Sequence, residues 1–181
     1  MDTRTVIRSQ FYASLDMLEA AIRACPETVW DRAQDVNRTW LVAYHTLFYV
    51  HLYLQPTRGD FVPREGHQDS YAHMGTTEPS DSDGDGDGDS DGVSQSAAGA
   101  PPLSKELMLD YLDWCRGEVD RRTAEVDLDA SSGFYWLPMT KLELQFYSVR
   151  HAMQHVGEMY ERLSAAGVLD DELPWIGMGP S

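Results

Sequence analysis

Two histidines four residues apart, His151 and His155, stand in the stretch 141–163, KLELQFYSVRHAMQHVGEMYERL. On a helix, residues at that spacing lie one above the other, so two imidazoles can aim at a single point. Helices present imidazole nitrogens to a divalent metal ion in this way. Laid out at about 100° per residue, the stretch divides into faces. Leu142, Phe146, Val149, Met153, Val156, Tyr160 and Leu163 make an apolar stripe, and Glu143, Arg150, Gln154 and Glu161 a polar one. His151 and His155 belong to neither and share a third face with Leu144, Ser148, Glu158 and Arg162. The pattern assigns that face to solvent or to a polar cleft.

A catalytic site of the zinc type uses three protein ligands and leaves one position open. The third ligand must come from a facing element, and two candidates lie in residues 37–54, NRTWLVAYHTLFYVHLYL. This second helix is apolar nearly all round, which in a soluble protein means burial against several neighbours. His45 shares a side with Leu41, Tyr49 and Leu52; His51 sits about 120° away, beside Trp40 and Tyr44. Both cannot point at the same target, and spacing alone leaves them in competition. The other reads as a core histidine hydrogen-bonded to a neighbour.

The remaining elements follow from periodicity and punctuation. The first helix covers about 3–24, with Ile7, Phe11, Leu15, Leu18, Ile22 and Cys25 at steps of three and four until Pro26 stops it. The third begins after Pro101-Pro102 with Ser104 as N-cap, buries Leu107, Tyr111, Trp114, Cys115 and Val119, and ends near Glu125. A turn-rich connection, DLDASSGFYWLPMT, leads to the histidine helix. Between 55 and 102 periodicity disappears. Residues 56–79 carry aromatic material, including Phe61 and Tyr71, enough to pack across a bundle end, whereas 80–100 is a low-complexity acidic insertion. Asp81, Asp83, Asp85 and Gly86 match the start of an EF-hand loop, but its twelfth position is Gly92, so the tract reads as a solvated spacer. Near the C-terminus, Trp175 is expected to fold back onto the helices. Four helices, no strand pattern and one long crossover loop between the second and third define an all-α, four-helix bundle in a single domain, 1–181.

Charge excludes one class of function. The net charge of −16 argues against nucleic acid, which needs a basic footprint. Arginine outnumbers lysine twelve to two; salt adaptation and genome composition both account for such a bias. No run of about 18 apolar residues predicts a membrane span, and the start of the chain lacks a signal-peptide layout. Cys25 and Cys115 both fall in helical patterns as small buried residues, so a reducing cytoplasm is expected.

WLVAYHTLFYVHLYL followed far downstream by SVRHAMQHVGEMYERL resembles the DinB-like (DinB/YfiT) superfamily. SQFYASLDMLEAAIRACPETVW and SKELMLDYLDWCRGEV resemble an uncharacterised bacterial branch of it. The similarity covers about 4–55 and 102–176 and leaves out the aspartate tract. It implies a bundle of mostly four helices with a three-histidine metal site, the first ligand in an aromatic second helix and the others in a His-x-x-x-His-x-Gly motif. Those positions fall on His45, His151 and His155, with Gly157 as the glycine. The branch often carries a further histidine or glutamine where this chain has Gln154 and Glu158; Glu158 becomes a candidate base for water at the metal.

Three neutral imidazoles suit several divalent ions, with zinc or nickel expected first. Characterised members of the superfamily include thiol-dependent transferases and isomerases. The resemblance therefore implies a metal-dependent enzyme, of transferase or hydrolase type, acting on a small molecule with a low-molecular-weight thiol. The alternative is a non-catalytic, stress-associated metal-binding module. The apolar faces of the second and fourth helices predict a homodimer in either case.

Overall fold

The computed structural model describes residues 2–74 and 101–168. Within them the chain is helical, with no strand and one isolated bridge between Ser131 and Thr140. The acidic insertion at 80–100 and Trp175 lie outside the described residues. No described helix is long and apolar enough to cross a membrane.

Four long helices carry the core: α1 (Thr3–Ala24), α3 (Thr39–Leu54), α5 (Lys105–Glu125) and α6 (Lys141–Ala165), with short α2 (Glu27–Trp30) and α4 (Asp69–Ala72) between them. α1 and α3 each pack against both α5 and α6, while α2 and α4 rest on α3. α1 buries the stripe its sequence predicts, Ile7, Phe11, Leu15, Leu18 and Ile22, each worth about 1.5–3 kcal/mol of transfer free energy. It stops where expected: the Cys25 N–H still reaches the Ala21 carbonyl at 3.1 Å, and the next residue, Pro26, has none to give. Every α3 residue except Tyr49 is buried. Ser104 caps α5, its Oγ accepting from the Leu107 N–H at 3.3 Å. α6 starts in a reciprocal cap: Thr140 donates its N–H to Glu143 Oε2 at 2.8 Å and accepts the Glu143 N–H at Oγ1 at 3.2 Å. Cys25 and Cys115 are buried and free.

Two stripes are corrected. On α5 Leu107 and Trp114 are exposed, and Met108 and Leu112 take their places inside. On α6 Phe146 is 52 % exposed and Leu142, Val149 and Met153 are only half-buried. Val156, Tyr160 and Leu163 of that stripe are buried, and with Leu144, Ser148, Ala152, His155 and Met159 they make an inward face turned by roughly 80° at about 100° per residue. Hydrophobicity located the stripe on side chains alone. The helix turns its histidine face inward because α3 supplies polar and aromatic partners for it.

The connection between α3 and α5, aperiodic in sequence, contains a 3-10 turn, Arg58–Asp60, and α4. Tyr71 pins α4 by meeting Trp40 and Tyr44 edge-on, at 5.3 and 5.6 Å between ring centres. The α5–α6 connection docks against the start of this segment. There Arg58 donates its N–H to the Gly133 carbonyl at 3.2 Å. Gly133 has φ +82°, and a Cβ there would stand 2.1 Å from the Pro56 carbonyl oxygen, so glycine alone fits.

His51 is the core histidine of the pair that spacing leaves open, as the assignment of the ligand to His45 expects. Its Nδ1 lies 3.0 Å from Tyr111 Oη, with Phe61 and Trp114 rings at 4.6 and 4.3 Å. Burial takes it down to about 4 from 6.5. The unfolded chain therefore binds a proton that the folded chain refuses between those values, and stability falls as pH falls through that window. Urea unfolding at pH 7 and pH 5 checks this: wild type should lose about 2 kcal/mol more over that interval than His51→Gln.

Candidate metal centre

The α6 register that turns Leu144 and Met159 inward also turns His155 inward, and α3 places His45 opposite. The three rings meet at their Nε2 atoms. His45 Nε2 lies 3.3 Å from His151 Nε2, which lies 3.1 Å from His155 Nε2. One ligand atom from each residue falls within 4.8 Å of the others. Two nitrogens bound at about 2.0–2.1 Å to a tetrahedral ion are about 3.3 Å apart, the separation found here. His45 and His155 are buried; His151 is half-buried and is the member nearest solvent.

The opposite ring edges fix which nitrogens are bare. His45 Nδ1 is 2.7 Å from the Ala72 carbonyl oxygen, which can only accept, so Nδ1 carries the proton. His155 Nδ1 is 3.3 Å from Glu158 Oε2 and is protonated for the same reason. The Nε2 atoms of both rings therefore present lone pairs toward His151 in the neutral state. Burial, then the neighbouring imidazoles, takes His45 down to about 3; burial, then His155, takes His151 to about 4. Both are neutral at pH 7, the form that ligates. A proton on His151 Nε2 can satisfy only one of its two ring contacts, and His151 Nδ1 is itself a buried atom with no partner. A divalent cation satisfies all three lone pairs at once. The donor set fits a metal.

Glu158 takes a different place from the one its sequence position suggests. Its Oε2 engages His155 at Nδ1, on the ring edge away from the converging Nε2 atoms, and its Oε1 accepts from Arg162. Hydrogen bonding from His155, with Arg162 adding its charge, holds the carboxyl below the usual carboxylate range. Arg162 in turn donates to the Asn37 carbonyl at 2.7 Å and lies 3.7 Å from Asp35. Glu158 thus fixes the His155 tautomer, with no contact to the point where the Nε2 atoms meet. Glu158→Gln is expected to weaken zinc binding by about 10–100-fold with helicity unchanged. Competition titration against a chromophoric chelator measures it.

Aromatic rings complete the surroundings. Tyr49 stands 4.6 Å from the His45 ring and 5.3 Å from that of His151. Tyr147 stacks nearly parallel to His151 at 6.2 Å, and the Arg150 guanidinium sits 5.7 Å from the Tyr147 ring centre. His67 is not in the cluster; its Nδ1 is 2.6 Å from Tyr44 Oη. Sequence reasoning did not find Ala72, whose contribution is a backbone carbonyl. Its trace was Tyr71, which with Phe61 gives the 56–79 segment its aromatic character.

No protein-family model, curated protein or solved structure matches this chain.

Proposed function

We propose that this chain is a DinB-like four-helix bundle that holds one divalent metal ion, zinc or nickel, through His45, His151 and His155. In this reading it is a metal-dependent enzyme of transferase or hydrolase type acting on a small molecule, with a low-molecular-weight thiol as its co-substrate. The observation that carries the proposal is the convergence of three Nε2 atoms whose opposite ring edges are fixed by Ala72 and Glu158 or left without a partner. The pairwise packing of α1, α3, α5 and α6 supports the bundle.

A divalent ion with three imidazole ligands supplies Lewis acidity at its remaining position, polarising an oxygen or keeping a thiol ionised. The chain's own residues do the rest. Ala72 and Glu158 hold two rings in their ligating tautomers. Tyr49 and Tyr147 flank His151 on the half-exposed side, where a ligand would approach. Arg150, exposed beyond Tyr147, offers a positive charge to an anionic ligand. A module closed by one of its own side chains is the other possibility raised by the sequence, with Glu158 as the obvious fourth ligand. Both Glu158 oxygens are engaged elsewhere, which favours the enzyme.

Leu142, Phe146, Val149 and Met153 form an incompletely covered apolar stripe on α6, which supports a homodimer. The buried, free cysteines are consistent with a reducing cytoplasm. The experiment is titration of the cobalt(II)-loaded protein with a small thiol such as 2-mercaptoethanol, followed by absorption. A sulfur-to-cobalt charge-transfer band supports an open thiol-binding position. A cobalt spectrum that no thiol or small anion perturbs would leave a closed, non-catalytic site.

A further inference from the structure

Lys141 opens α6 ten positions before His151, about 15 Å along the helix axis from the metal centre. It is 4 % exposed, and lysine is almost never so buried unless paired. No carboxylate among the described residues lies within ion-pair distance of its ammonium. Nζ donates to the Gln55 carbonyl oxygen at 2.7 Å and stands 5.0 Å from the Phe134 ring centre. Burial lowers this amine to about 8, against the opposing field of Asp60, so it is still mostly protonated at pH 7. An ammonium with three N–H groups thus has one hydrogen-bond acceptor.

A cavity of about 320 Å³ is lined by Lys141 together with Arg122, Leu54, Pro56, Val126 and Ala130. That volume is at the lower end of small-molecule sites, about 300–1,000 Å³. Gln55 holds both cations in place. Its Oε1 accepts from Arg122 at 2.5 Å, its backbone oxygen from Lys141, and its own amide is anchored by donating to the His51 carbonyl at 3.0 Å. Arg122 also reaches Glu118 at 3.3 Å. The two acids that line the cavity, Glu125 and Asp127, are exposed to solvent, whereas Lys141 is buried and Arg122 half-buried. Two sheltered cations with two solvent-exposed carboxylates in the same lining favour a singly charged anion over a polyanion such as phosphate. The apolar walls require a ligand with an apolar body.

From this arrangement we infer a second binding site, separate from the histidines, that takes a small apolar monocarboxylate with its carboxylate on Lys141 and Arg122. The test is calorimetric titration of the full chain, freed of metal, with sodium hexanoate, hexanamide and inorganic phosphate. Hexanoate should bind with one-to-one stoichiometry, and hexanamide and phosphate at least tenfold more weakly. Lys141→Met and, as a milder change, Arg122→Gln should each weaken hexanoate at least tenfold while retaining a cooperative thermal transition. His155→Ala should bind hexanoate like wild type. The inference is overturned if hexanamide or phosphate binds as well as hexanoate, or if both cavity variants fold and bind it unchanged. It is also overturned if His155→Ala abolishes binding, or if millimolar hexanoate does not bind at all.

Discussion

Alanine at His155 is expected to lower zinc affinity at least about a hundredfold and to remove most of the stabilisation that zinc gives the fold. The ring supplies one of three Nε2 atoms and is also the partner through which Glu158 acts on the site. With two imidazoles left and no other carboxylate or thiol in the cluster, the ion loses a third of its protein donors. A ligand that binds only the folded state adds about 4 kcal/mol of stability at a thousand times its dissociation constant. Wild type in zinc at that excess should therefore unfold at a clearly higher urea concentration than without metal, whereas His155→Ala should keep at most about a third of that stabilisation. His51→Ala is the control. It removes a buried histidine from the same core and costs stability, yet the zinc-dependent difference should persist because His51 faces Tyr111 and Trp114.

The largest loss of stability is expected from Trp40→Ala, at about 3–5 kcal/mol by urea unfolding. Trp40 is completely buried. Its Nε1 donates to Asp31 Oδ1 at 3.0 Å, the oxygen that also accepts from Arg38. Its ring supports Tyr71 and through it α4, which carries the Ala72 carbonyl to His45. The variant should lose metal affinity as well, by about tenfold, although residue 40 has no contact with the ligands. Trp40→Phe separates the two effects. Much of the packing remains and the indole hydrogen bond does not, so the cost should fall to about 1–2 kcal/mol with zinc affinity near wild type.

Where the local signal and the tertiary environment agreed, the sequence was legible. α1 shows its stripe and its proline stop, and Ser104 caps α5, because those signals act within a few residues of one another. The His151–His155 pair was visible for the same reason. α6 misled by mixing two criteria: it is apolar along Phe146 and Met153, but buries the face that α1 and α3 can partner. A histidine scores as polar in a pattern, yet here it is core, since three imidazoles meet. The choice between His45 and His51 turned on the rotation of an all-apolar helix, which periodicity cannot report. Ala72 could not be foreseen from its side chain, and the direction of Glu158 depended on Arg162 competing for its carboxylate.

Metal content of the untagged protein shows directly whether His45, His151 and His155 hold an ion. Wild type and a His45→Ala/His151→Ala/His155→Ala variant would be purified side by side, reconstituted with zinc or nickel, desalted and measured by elemental analysis. Wild type is expected to hold close to one equivalent per chain and the variant almost none. Wild type without metal after reconstitution, or a variant that retains as much as wild type, would contradict this.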